Sequence, residues 1–233
     1  LSSLRRLNRV LKLSKKRLFK NAVIVYCPPF TLIDRFVEMS KKHKIHIGAQ
    51  DCYTVKNNGA FTGNISSEQI KNLGAKFVIL GHSEKRKDGD TDKIINKKIL
   101  SAVSSNLNII LCIGENLSQK SKKKTLQVIK QQLKNCLKNI KNLKNILIAY
   151  EPVWAIGSGK TPDNLKLEYI VDHIKKFLRQ KFDKNAIKVI YGGSVNSKNI
   201  MNLRKINNIN GFLIGGASLN QNKFIDIIKK SIK

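Results

Sequence analysis

Two segments near the end of the chain, Ile187–Ser194 (IKVIYGGS) and Gly211–Ser218 (GFLIGGAS), each carry an apolar, β-branched run into a glycine pair. Glycine lets backbone N–H groups approach an anion closely, and the start of a following helix favours phosphate. Two such strand ends in succession match the loops after strands 7 and 8 of a (β/α)8 barrel, a common phosphate site. Ser194 supplies either a hydroxyl donor to that site or a helix N-cap.

Upstream of these segments the same alternation repeats. Short runs rich in β-branched residues occur at Ala22–Cys27, Lys44–Ala49, Phe77–Gly81, Asn108–Ile113 and Ile146–Tyr150, before the two already quoted. Amphipathic stretches of helical period lie between most of them, at Thr31–Lys42, Lys122–Lys138, Leu165–Lys181 and Asn222–Ile232. The runs are continuous rather than alternating, as expected of parallel strands covered on both faces. A doubly wound sheet and a barrel both fit this pattern. A barrel needs eight strands, and the sequence offers seven and opens on a helix pattern. If one strand is missing at the front, the last two become strands 7 and 8, which agrees with their glycine pairs. No Pro/Ser-rich linker interrupts the chain, so residues 1–233 are expected to form a single α/β domain, a (β/α)8 barrel lacking its first strand.

Composition narrows the class. The chain has 233 residues, 45 Lys and Arg against 15 Asp and Glu, and a net charge of +30. A hydrophobic fraction of 41% excludes a disordered chain, and no apolar run is long enough for a transmembrane helix. Cys27, Cys52, Cys112 and Cys136 form no C-x-x-C pair and no metal-like spacing with the histidines, so reduced thiols in a cytoplasmic protein are expected. Leu1, Leu4, Leu7, Val10 and Leu11 fall at helical spacing in a basic N-terminal segment, read as a packed first helix or, alternatively, a transit peptide. The charge invites a nucleic-acid reading. Aromatic residues are only 6%, however, and the lysines are spread over helix faces, so no nucleic-acid partner is expected.

Polar residues gather at the ends of the strand runs. Glu151 follows an apolar strand and precedes Pro152, a setting in which burial would raise its pKa and make it a better base. A solvated carboxylate or a core salt bridge is the alternative. His82 sits where a strand gives way to a helix, so a neutral imidazole there could donate to a carbonyl oxygen; a purely structural histidine is the competing reading. His43, His46 and His173 have no such setting. Gly157-Ser158-Gly159-Lys160-Thr161 imitates a P-loop, but Trp154 stands where the motif needs its first glycine. Small residues after the bulky Val153–Ile156 tip read better as a mobile lid, with Pro162 starting the next helix.

Taken together, these segments resemble triosephosphate isomerase. The resemblance rests on Gly48–Asp51, Gly59–Gly63, Leu80–Arg86, Leu111–Glu115, Ala149–Lys160, Tyr191–Val195 and Gly211–Leu219, in family order. It implies interconversion of two triose phosphates through an enediol(ate), with Glu151 as the base and His82 as the neutral electrophile. It places Gly157, Ser194, Gly215 and Gly216 on the phosphate, and Glu84, Cys112 and Glu115 in supporting positions. No metal or organic cofactor is implied, and no membrane or nucleic-acid partner. A homodimer is implied, with the Gly59–Gly63 loop inserted near the neighbour's site. The acidic residue that usually follows this loop is Asn64 here, while Lys85 keeps the basic side, so one supporting ion pair is expected to be lost. The family's first-strand segment, N-W-K-M-N, has no match. That absence leads to the expectation of a truncated chain, inactive or severely impaired until the strand is restored. A degenerate, non-catalytic barrel is the competing reading.

Overall fold

Six of the seven apolar runs fold as parallel strands. The computed structural model describes residues 7–12, 22–183, 185 and 187–232. These residues fall into two compact units, the first reaching Leu80 and including Lys97–Ile110, the second holding Gly81–Asn96 and Leu111–Ser231.

In the first unit, β1 (Ile24–Tyr26), β2 (Ile45–Ala49), β3 (Phe77–Leu80) and the opening half of β4 (Asn108–Ile113) lie in sequence order. β1 runs parallel to β2 with Ile24 opposite Ile45, and β2 parallel to β3 with Gly48 opposite Phe77. Ile47, Gly48 and Ala49 in β2, and Phe77 and Val78 in β3, are all buried, so consecutive residues on opposite strand faces are covered alike. Residues 7–12 are helical, and Leu7, Val10 and Leu11 are buried there; Leu1 and Leu4 lie outside the described residues. Thr31–Lys42 becomes a 3-10 turn at Phe30–Leu32 followed by α1 (Ile33–Ser40), whose Ile33 and Phe36 face the core. The buried Lys98 ammonium meets both Asp51 oxygens, at 3.0 and 2.8 Å. Residues 56–64, which include the Gly59–Gly63 loop, are exposed.

In the second unit, β4 continues and is followed by β5 (Ile146–Tyr150) and β6 (Lys188–Tyr191). β5 and β6 pair in parallel from Leu147–Lys188 to Tyr150–Tyr191. The seventh run contributes one parallel bridge, Tyr191 to Phe212, instead of a strand. The Asn210 side chain explains the shortening. Its Oδ1 accepts the Val189 N–H at 2.9 Å, a donor that an extended ladder would give to a backbone carbonyl.

The Lys122–Lys138 stretch folds as α3 (Thr125–Cys136), set off from the preceding α2 (Leu117–Ser121) where Lys123 takes φ +55°. A left-handed residue ends a helix, because the next N–H no longer reaches its carbonyl four back. α4 (Asn164–Arg179) starts two residues after Pro162, with Asp163 as N-cap accepting the Leu165 and Lys166 N–H groups. It buries Leu167, Ile170, Val171, Ile174 and Leu178, one helical stripe. Among the described residues, no helix is long and apolar enough to cross a membrane.

Candidate functional site

Glu151 is the first residue after β5, and its backbone N–H donates to the Ile113 carbonyl at 2.8 Å. It is 3% exposed. Two glycines make room for it: a Cβ on Gly192 would lie 2.7 Å from the Glu151 Cγ, and one on Gly114 would overlap the Glu151 carbonyl. Burial holds the carboxyl above the usual range, against the pull of His82, the Cys112 thiol, Arg86 and the Ser83 N–H. A solvated strand-end carboxylate is therefore not what the fold makes of Glu151.

His82 caps the short helix Ser83–Lys87, its Nδ1 accepting the Glu84 N–H at 3.3 Å. A nitrogen that accepts a backbone N–H carries no proton, so the neutral ring is protonated at Nε2. That atom faces the Glu151 Oε1 at 3.5 Å. A buried carboxylate and an imidazole N–H donor thus meet at one place. Glu84 supports His82 through its backbone, since its own carboxylate is mostly exposed and 3.8 Å from Nδ1.

Cys112, near the end of β4, is buried, and its thiol donates to Glu151. Glu115 is buried as well, and it accepts hydrogen bonds from the Tyr150 hydroxyl at 3.1 Å and the Trp154 Nε1 at 2.9 Å. It also accepts the Val153 N–H on its backbone carbonyl at 3.0 Å. Glu115 therefore secures the front of the segment read as a lid. That segment turns through the 3-10 helix Val153–Ala155 and reaches an exposed tip at residues 157–160, with Gly157 and Gly159 at φ +68° and +73°.

Ser194 does not cap a helix, because the helix after β6 begins only at Ile200. Asn196 bends the intervening chain by accepting the Lys198 and Asn199 N–H groups. Gly215 and Gly216 are exposed beside a 3-10 turn, Gly216–Leu219, with open space where a Cβ would go. Among the described residues, no cluster of three or more His, Cys, Asp or Glu could hold a metal ion.

Two contributions were not read from the sequence. Arg86 binds the Gly81 carbonyl at 2.8 Å, the Asp92 carboxylate at 2.7 Å and the Cys112 carbonyl at 3.2 Å, bracing the turn that carries His82. Gly114 and Gly192 make the space for Glu151. Only the glycines left a local signal, a small residue directly after an apolar strand, which at Gly192 reads equally as half of a phosphate-binding pair.

Comparison with known proteins agrees with this arrangement. The family described as Triosephosphate isomerase matches residues 2–231. The chain is 42% identical over 221 residues to the triosephosphate isomerase of Zygosaccharomyces bailii, covering 93% of this chain and 88% of that protein. It is 44% identical over 213 residues to that of Saccharomyces cerevisiae, with 90% and 85% covered. The Bradyrhizobium diazoefficiens enzyme is 40% identical over 211 residues, with 89% and 84% covered. With nearly its whole length matched and its polar strand ends in family order, the chain belongs to the triosephosphate isomerase family of (β/α)8-barrel enzymes.

Proposed function

We propose that Glu151 and His82 carry the isomerisation of dihydroxyacetone phosphate and D-glyceraldehyde 3-phosphate in this chain, within one barrel domain. The observation that carries the assignment is the 3.5 Å approach of the His82 Nε2 to a Glu151 carboxylate that burial has made more basic. Glu151 removes a proton from the carbon beside the substrate carbonyl and returns it to the neighbouring carbon. His82 donates from Nε2 to the carbonyl oxygen as negative charge develops there, then passes protons between the two oxygens of the enediol(ate). Arg86 and the Cys112 thiol keep the carboxylate and the imidazole turn in place.

The phosphate binds to N–H groups of Gly157, Gly215 and Gly216 and to the Ser194 hydroxyl. Closure of residues 152–161 excludes water, which protects an enediolate that would otherwise lose its phosphate. The chemistry needs no metal or cofactor, because one carboxylate and one imidazole supply both base and acid. The exposed loop of residues 56–64, with Phe61 packed on Tyr53 at 5.1 Å, is the surface for a homodimer. The reduced thiols fit a cytoplasmic enzyme.

The test pairs binding with turnover. Calorimetric titration with 2-phosphoglycolate, a phosphate carrying a carboxylate shaped like the enediolate, is expected to show binding to the chain. Isomerase rates of the chain, with and without an N-terminal Asn-Trp-Lys-Met-Asn strand, measure what that strand contributes. Absence of both binding and turnover in the extended protein sinks the assignment and favours a non-catalytic barrel.

A further inference from the structure

Trp154, the chain's sole tryptophan, stands at the front of the lid and is gripped on two sides. Its indole edge donates to the Glu115 carboxylate at 2.9 Å. Its face lies beneath the Lys120 ammonium, 3.2 Å from the ring centroid. A cation so placed is held by the negative face of the ring.

Both grips belong to one stiff segment. Glu115 is followed by Asn116, which caps α2 by accepting the Gln119 N–H at 2.9 Å, while Gln119 accepts the Asn116 N–H at 2.9 Å. Lys120 comes next, its N–H donating to the Asn116 carbonyl at 3.0 Å. The Glu115 carbonyl also takes the Val153 N–H. The front of the lid is thereby fixed in orientation, while its tip at residues 157–160 remains exposed.

We infer that Lys120 is a positioning residue of the isomerase site, clamping the Trp154 ring against Glu115 so that the lid turns about a fixed pivot. The clamp itself is independent of the isomerase reading, and its consequence for ligand binding rests on that reading. A loose pivot lets the lid sample more open arrangements. Each closure on the phosphate must then order more of the segment, and affinity falls.

Lys120→Met keeps the length of the side chain and removes its charge; Lys120→Arg keeps the charge. Quenching of Trp154 fluorescence by acrylamide, which is neutral, reports whether the ring is covered. Calorimetric titration with 2-phosphoglycolate reports closure, and the thermal midpoint reports folding. In the full chain, Lys120→Met is expected to quench more readily and to bind the probe about 3- to 10-fold more weakly, with its thermal midpoint unchanged. Lys120→Arg is expected to restore both properties. Unchanged quenching overturns the clamp. Increased quenching with unchanged affinity overturns the positioning role and leaves only a surface contact. If 2-phosphoglycolate binds neither the unsubstituted chain nor its strand-extended form, the isomerase reading fails and the lid role of Lys120 with it.

Discussion

Glu151 and Gly157 belong to one connection after β5, yet their settings are opposite. Glu151 is enclosed: its backbone is tied to Ile113, its side chain is flanked by His82, Cys112 and Gly192, and water has little access. Gly157 is exposed, left-handed at φ +68°, and has nothing near the place where a Cβ would sit. Gly215 and Gly216, assigned to the same anion, share that openness. The contrast separates two tasks. A proton-transfer group must be held within a fraction of an ångström and kept desolvated before substrate arrives, because its basicity depends on that setting. Backbone donors to a phosphate lose little by waiting in water, since the ligand's charge can order them on arrival.

The comparison can be broken by substitution. Glu151→Gln keeps the shape and removes the base, so isomerase turnover should fall by about 10³- to 10⁴-fold, near the upper range for general base catalysis. Circular dichroism should show the fold intact. Activity of more than about a tenth of the original would remove Glu151 from the base role.

Gly192→Ala and Gly215→Ala test the enclosed and open regions with the same added methyl. At Gly192 the new Cβ meets the Glu151 Cγ at 2.7 Å, so the carboxylate must shift. A misplacement of about 1 Å costs roughly 10²-fold in rate. At Gly215 the methyl enters open space, and kcat should stay within about threefold, as expected where no well-packed contact is disturbed. Equal losses at the two positions would end the distinction between them.

The raised pKa of Glu151 has two consequences of opposite sign. Its burial favours the protonated form, so the native state binds this proton more tightly than the unfolded chain does. Stability from this group is therefore fully present below the ordinary glutamate pKa of about 4.3 and is lost as pH rises through the native value. Activity moves the other way, because only the ionised carboxylate accepts a proton, and the acid limb of kcat/KM should lie above the ordinary carboxylate range. Urea midpoints of the chain and of Glu151→Gln should converge toward low pH and separate in favour of Gln as pH rises. Parallel curves would show that the carboxylate is not desolvated in solution.

The smallest expected effect lies away from the site. Asp163 caps α4 through two N–H groups and touches no catalytic residue, so Asp163→Ala should lower unfolding free energy by about 1 kcal/mol in chemical denaturation. The 2-phosphoglycolate affinity should be unchanged. A parallel loss of affinity would mean that the start of α4 also governs the lid.

Local chemistry made much of this legible. Continuous apolar runs announced buried parallel strands at six places, and the α4 stripe from Leu167 to Leu178 followed its 3.6-residue period. The failures have local causes that compete with pattern. Asn210 replaced a ladder hydrogen bond and reduced the seventh run to a bridge at Phe212. Lys123 turned left-handed just inside the Lys122–Lys138 stretch and set the start of its helix back to Thr125. Ser194 carried a capping residue type, yet the chain bent at Asn196 before the helix began. Arg86 gave no sign of its role, because its side chain joins Gly81 and Asp92 on either side of it to Cys112 on another strand, and no spacing rule marks that set.

The order of strands and helices, the polar residues at strand ends and the family itself follow from the sequence alone, because they depend on neighbours a few residues apart and on motifs read in order. The basicity of Glu151, the approach of His82 to it and the contacts of Trp154 were decided by tertiary structure. Each depends on atoms brought together from different strand ends: the His82 Nε2 at 3.5 Å from Glu151, glycines where a methyl would collide, and an ammonium over an indole. Desolvation and directional contacts act only once those atoms are in place.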